Sequence, residues 1–301
     1  MKKVVRMLGL CALVALAFTA CKKDDTQKVT FTANVAQTTN DARTHAEYGT
    51  YLVWDDGDVI QIFNGAGNEM DFEAQTSSGL PGVAQFTATT NDEIEFVKDL
   101  ETDMYTAFYP NAAVDGDLVR MEIPYDQTYV PQRSFASNLY PMVGWNMDEE
   151  GSYCNRFQFR SDAGFLNLSF TKLYEDQDQY LDEIIVTTTE ADDYLTGYLV
   201  YDKEGNLQTT LAPNGFEGNG NQVRMKIDHP VELYYEAATD FTFVLPAGAL
   251  YSGFTVQVKL EGELIETYVA QPRPNNVIAA QNYTVMIPMQ LPQPPAPTDP
   301  E

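Results

Sequence analysis

Residues 254–261 read FTVQVKLE. Phe254, Val256, Val258 and Leu260 alternate without a break with Thr255, Gln257, Lys259 and Glu261. Successive side chains of a β-strand point to opposite faces, so a period of two describes a strand with one dry face and one wet face. Glu261-Gly262 then makes a hairpin bend into a second strand over Leu264 to Tyr268.

The same period extends through the rest of the chain. Tyr283, Val285, Ile287, Met289 and Leu291 fall on one face, and Leu166, Leu168 and Phe170 alternate with Asn167, Ser169 and Thr171. Glu183 to Thr189 is β-branched and strand-like, Leu195 to Tyr201 runs into a turn at Asp202 to Asn206, and Phe241 to Leu245 stops at Pro246. Nearer the N-terminus, Tyr105 to Tyr109 stops at Pro110 and Val119 to Ile123 stops at Pro124. Tyr51, Val53, Val59, Ile60, Ile62 and Phe63 flank Asp55-Asp56-Gly57-Asp58 and read as two strands joined at a turn. Val29, Phe31, Ala33 and Val35 alternate with Lys28, Thr30, Thr32 and Asn34, a half-buried strand that opens the folded body. The one helix expected is brief, around Asp92 to Lys98. Many short strands with frequent turn signals predict an all-β protein built of β-sandwiches.

Residues 144–155 (GWNMDEEGSYCN) are polar and carry glycine, and the boundary between two sandwich domains is expected near them. The expected organisation is a leader over 1–20, a tether over 21–27, an N-terminal domain over 28–148 and a C-terminal domain over 149–291. A tail over 292–301 has five prolines in ten residues. Proline lacks an amide donor, so the tail reads as extended chain.

The leader carries Lys2, Lys3 and Arg6 ahead of a short apolar run that ends at Thr19-Ala20-Cys21. Basic residues, an apolar stretch too short to span a bilayer and small residues before a break make a secretory signal. Thr19 and Ala20 before Cys21 look like a lipobox, in which the thiol of Cys21 takes a diacylglycerol and becomes the mature N-terminus. Phe18 stands where leucine is more usual. A plain signal peptide containing Cys21 is the alternative. Lys22-Lys23-Asp24-Asp25 resembles the surface-export signal of lipoproteins in gut and mouth Gram-negative anaerobes; a solvated polar tether is the other reading.

Losing the leader removes three of the 18 basic residues and none of the 44 acidic ones, which leaves a net charge of −29. Such a body repels nucleic acid and anionic membrane surfaces, so neither is an expected partner. Cys154 is the single thiol left, which excludes a disulfide framework and a zinc cluster. His45 and His229 are far apart in sequence and no nucleophile–histidine pattern surrounds Cys154. Asp55, Asp56 and Asp58 lack the spacing of a calcium loop, and the adjacent acids Glu149-Glu150 and Asp192-Asp193 do not straddle a cleft as a glycosidase pair must. There is no Gly-x-Ser-x-Gly motif and no phosphate loop. No enzymatic activity, metal or cofactor is expected.

The order of elements carries a resemblance. A lipobox precedes a strand VTFTANV, then Arg43-Thr44 in a polar loop, Trp54 before Gly57-Asp58, and the strand Ile60-Gln61-Ile62-Phe63. Phe108-Tyr109-Pro110, Val244-Leu245-Pro246 and Gly253-Phe254-Thr255-Val256 follow. This resembles the fimbrillin family, the Mfa-like subunits of type V pili, over nearly the whole mature chain. The resemblance implies two transthyretin-like, Greek-key β-sandwiches and a lipoprotein anchored to the outer membrane at the cell surface. It also implies assembly with other fimbrillin subunits, serving adhesion. An arginine-specific protease would cut after the first strand, and a strand from another subunit would replace it. Carried onto this sequence, Cys21 holds the lipid, Arg43 is the processing point, and Lys28 to Ala36 is the strand lost, with Val29, Phe31, Ala33 and Val35 on one face. One departure matters: beyond Ile287 the chain meets Pro288 and then the proline-rich tail, which suits a poor strand donor, hence a tip or accessory subunit. The alternative is a surface glycan-binding lipoprotein of a polysaccharide-uptake system, in which Trp54, Trp145 and some of the 18 tyrosines stack on sugars.

Overall fold

The computed structural model describes residues 30–35, 54–76, 83–90, 96, 103–110, 112–131, 135–136, 138–147, 151–172, 175, 178–212, 220–260, 262–273, 277–279 and 281–289. The described chain is all-β. The first strands are β1 (Thr30–Val35), β2 (Val59–Asn64), β3 (Glu69–Gln75), β4 (Val83–Ala88), β5 (Tyr105–Tyr109), β6 (Ala113–Asp115), β7 (Leu118–Ile123) and β8 (Asp126–Thr128). They are followed by β9 (Met142–Met147), β10 (Tyr153–Arg160), β11 (Ala163–Lys172), β12 (Tyr180–Thr188), β13 (Gly197–Asp202) and β14 (Leu207–Ala212). The last are β15 (Gln222–Glu232), β16 (Thr239–Pro246), β17 (Phe254–Leu260), β18 (Glu263–Ala270) and β19 (Asn282–Met289). Of the helix expected over Asp92 to Lys98, only Phe96 is described; it is helical and buried.

Seven strands close into a barrel in the order β1-β10-β9-β5-β2-β3-β4. Closure removes sheet edges, and the inward positions of a barrel this small are filled by side chains. Here the filling is largely aromatic: Phe31, Phe72, Phe86, Tyr105, Phe157 and Phe159 point inward and belong to one buried cluster, while Phe63 and Phe108 join that cluster from the outer face of β2 and β5, where Phe108 meets Tyr201. The C-terminal part is a sandwich. A sheet β16-β11-β19 faces a sheet β18-β17-β12-β15-β8. Leu166, Leu168 and Phe170 of the first sheet share a core with Ile184, Val186, Val256 and Val258 of the second. The stretch 254–260 alternates buried and half-buried along its whole length, as its sequence requires.

The all-β, multi-sheet architecture expected from the sequence is what the described residues form. Its N-terminal strands close fully into the seven-stranded barrel. β9 and β10 are antiparallel neighbours within the barrel, with Tyr153 opposite Met147. The arm β6–β8 in turn leaves the first half to pair with the second. β7 pairs with β13 and β8 runs parallel to β15. The sheet β14-β13-β7-β6 sends Val119, Met121, Ile123, Leu199 and Tyr201 into the barrel's own cluster.

Small polar clamps hold this arm. The buried amide of Gln127 donates to the Val244 carbonyl at 2.8 Å and accepts from the Val244 N–H at 3.0 Å, so it acts as one residue of strand along the outer edge of β16. Asp126 beside it accepts from Arg224 and from Lys226. Burial pushes the Asp126 carboxyl up, but the hydrogen bonds from Lys226 and Arg224 outweigh it and hold the group below its ordinary value. A depressed carboxyl contributes stability above its unfolded pKa and loses it as pH falls through the folded one. The pair is partly exposed, so solvent screening limits its worth. Asp126→Asn is therefore expected to cost only about 0.5 kcal/mol at neutral pH. That loss should shrink in molar salt and fall away as pH drops below the ordinary carboxylate value of about 3.9 and through the depressed folded one. Urea midpoints of the two proteins at low and high salt and at acid pH check this.

Candidate functional site

The seam occupied by β1 is the place where sequence and structure converge. β1 lies antiparallel to β4, with Phe31 opposite Phe86 and Ala33 opposite Ala84. On its other side it lies parallel to β10, with Ala33 opposite Phe157. Phe31 and Ala33 are both 0% exposed, while Thr30 and Thr32 are half-buried. The Phe31 ring sits in an aromatic cage, with ring centres 4.9 Å from Phe157, 5.2 Å from Phe72 and 5.8 Å from Tyr105. Phe96 closes the far side against Phe72 and Tyr105. Edge-on and tilted contacts of this kind add to what apolar burial alone contributes.

Strand β1 completes a barrel formed otherwise by segments beyond residue 54, so its departure leaves the rest of the chain continuous. It would expose the hydrogen-bonding edges of β4 and β10 and the cage between them. Unpaired edges over an apolar floor are a template for another strand.

Of the residues singled out in the sequence, Phe31 and Ala33 lie together in this seam. Cys21, Val29 and Arg43 fall outside the described residues, as does the side chain of Val35. Phe72, Ala84, Phe86 and Phe157, which form the other walls, were not singled out. Phe157 and Phe159 two residues apart, and Ala84, Phe86 and Ala88, carry the same period-two signal as the strands that were recognised.

The remaining candidates have structural duties. Trp54 is buried within 5.0 Å ring-centre distance of Phe86 and of Tyr109, inside the barrel. Trp145 donates its indole N–H to the Glu204 carbonyl at 2.7 Å, and the Arg160 guanidinium lies 4.6 Å from its ring centre. Gly205 stands so close that a Cβ there would come within 2.8 Å of the Trp145 ring, at a φ of +86° that favours glycine anyway. The β13–β14 turn thus covers Trp145, and neither tryptophan is an open platform for a sugar.

Asp58 accepts from the Asp55 N–H at 2.8 Å and from the Tyr109 hydroxyl at 2.9 Å. Burial first, and then the charge of Asp58, push the Tyr109 hydroxyl far above its ordinary pKa, so it stays a donor. The acidic turn is a hydrogen-bonded structural turn. No group of three metal-ligating side chains occurs among the described residues. Asp192 and Asp193 part company: Asp192 accepts from the Tyr251 hydroxyl at the surface, while Asp193 is buried against the 250–252 loop. Cys154 is half-buried, its thiol 3.5 Å from the Arg156 carbonyl.

The sequence matches no family model. It matches no curated protein sequence either. Solved structures do resemble the fold. A fimbrial protein from Bacteroides ovatus aligns over 87% of this chain and 49% of its own at 10% identity, with a TM-score of 0.38. A candidate cell adhesion protein from Bacteroides uniformis aligns over 87% of this chain and 93% of its own, at 15% identity and a TM-score of 0.49. A candidate cell adhesion protein from Bacteroides ovatus covers 87% of this chain and 93% of its own, at 13% identity and a TM-score of 0.52. This chain shares the fold of that Bacteroides ovatus protein.

Proposed function

We propose that the protein is a fimbrial subunit of the cell surface, delivered as a lipoprotein through Cys21 and joined to its neighbours by exchange of its first strand. The observation that carries this reading is the seating of β1: Phe31 and Ala33 fill the barrel core, yet the strand lies outside the continuous body that surrounds it. A cut after Arg43 would free it without breaking any other strand among the described residues. The fold shared with a candidate cell adhesion protein supports the same direction. The role within the fimbria is that of a tip or accessory subunit. The chain meets Pro288 within β19 and five more prolines after it, and a strand without amide donors is a poor partner for a neighbour's seam.

Limited digestion of the lipid-free precursor with an arginine-specific protease, followed by mass spectrometry, tests the reading. A single early cut after Arg43 with residues 54–289 left protected is the expected result. Resistance at Arg43, or collapse of the whole body on cutting, would sink it. A second reading, binding of surface glycans, retains one favourable observation: Tyr180, Tyr234 and Tyr235 are all exposed. Tyr180 stands opposite Glu232 at one end of the sandwich, and the Tyr234 carbonyl accepts from the Lys172 N–H there. A sugar-binding screen with these tyrosines replaced by alanine follows if digestion fails.

A further inference from the structure

The seam has a shape as well as an edge, and the residues that β1 places in it define what else would fit. At position 31 the pocket is wide and aromatic, walled by Phe72, Tyr105 and Phe157 and facing Phe86 across the ladder. Two residues on it is narrow. Ala33 lies in register with Ala84 on one side and Phe157 on the other, and all three are 0% exposed. Protein interiors are packed without spare volume, so each added methyl group at position 33 must displace a neighbour.

Resting on the strand-exchange reading, we infer that the seam selects an extended segment of a different protein whose inward face carries an aromatic residue followed two positions later by alanine or a residue as small. The segment runs antiparallel to β4 and parallel to β10, as β1 does. A second copy of this chain does not offer such a segment at its C-terminal end. Tyr283, Val285 and Ile287 follow one another at the inward positions of β19, with no small residue after the aromatic one. Val285 and Ile287 are moreover buried in the sandwich core, so donating β19 would dismantle its own domain. The opposite face offers Thr284, Met286 and Pro288, which lacks an aromatic residue altogether. The barrel's other aromatic-x-Ala pairs, Phe72/Ala74, Phe86/Ala88 and Tyr105/Ala107, are buried in the barrel itself, so the preference is for a heterologous partner, set by the cage and by Ala84 and Phe157 rather than by main-chain hydrogen bonds, which any strand supplies.

The test uses the full mature chain cut by the arginine-specific protease and freed of its first strand. A variant with an inserted protease site between residues 39 and 40 serves if Arg43 resists. Labelled peptides are then titrated and binding is read by anisotropy. They are residues 28–36, the same peptide with Phe31→Ala, the same with Ala33→Val, and residues 282–289. The native peptide is expected to bind, Phe31→Ala to weaken it at least about a hundredfold, Ala33→Val about tenfold, and 282–289 not to bind. If Ala33→Val or 282–289 binds as well as the native peptide, the selectivity is overturned while strand exchange survives. If the native peptide itself fails to bind, the strand-exchange reading falls and the selectivity falls with it.

Discussion

Phe31→Ala lowers the stability of the barrel by about 3–5 kcal/mol, the usual range for removing a fully buried aromatic ring. The ring is 0% exposed and touches rings from three other strands, so its loss leaves a cavity that none of them can fill without moving. Thr32→Ala, one position along on the half-buried outer face, should cost about 0.5 kcal/mol or less. Both tryptophans pack on the barrel cluster, so intrinsic fluorescence in a urea titration reports this unit and not the sandwich. The expected pattern is a lower midpoint for Phe31→Ala at an unchanged slope, with Thr32→Ala superimposed on the parent. Equal, small shifts for the two variants would mean that β1 is not an integral part of the barrel. Its release would then expose nothing worth refilling, and the proposal of strand exchange would lose its physical basis.

Period-two alternation was enough to recognise β17, β7 and β19, because each shows one face to a core and one to solvent. It was also enough for β1, where Phe31 and Ala33 are the inward residues. It fails where both faces are covered. In β5 all five residues of YTAFY are buried, and only the bounding Pro110 reveals the strand. In β11 the alternation of Leu166, Leu168 and Phe170 was legible, but not that Phe165 on the other face belongs to the barrel cluster while they belong to the sandwich. Long-range pairing is invisible to any local pattern. Nothing in Asp126-Gln127-Thr128 says that these residues cross to the second half, and nothing in GSYCNRFQFR says that its strand closes the barrel beside residue 33. The first strand was thus legible, while the cage that holds it was not. Phe72, Tyr105 and Phe157 come together only through the closure of the barrel.

Asp192-Asp193 shows the same limit within a single dipeptide, and carries the second large expectation. In the sequence the two acids are indistinguishable. In the structure Asp193 is 1% exposed and accepts from the Leu250 N–H at 2.9 Å, the Ser252 N–H at 2.9 Å and the Ser252 hydroxyl at 2.7 Å. These donors sit in the turn after β16, 57 and 59 residues away, where Leu250 is held at a φ of +68° with its side chain in the sandwich core. Positive φ at leucine is costly and persists only where its surroundings enforce it. Asp193→Ala removes the acceptor from three donors at once and frees the turn to relax away from that conformation. Each buried donor left without an acceptor costs about 1–3 kcal/mol. Because the three act as one unit, the total expected is about 3–5 kcal/mol rather than their sum. Asp193→Asn should recover part of this, since one oxygen remains to accept. Asp192→Ala removes only a surface contact to the Tyr251 hydroxyl and should cost about 0.5 kcal/mol or less. Tryptophan fluorescence will not see these changes well, so hydrogen exchange at β12 and β17 is the measure. Protection there should fall for Asp193→Ala and hold for Asp192→Ala. If the two variants behave alike, the buried carboxylate is not what holds the turn, and the geometry of Leu250 must be sustained by packing alone.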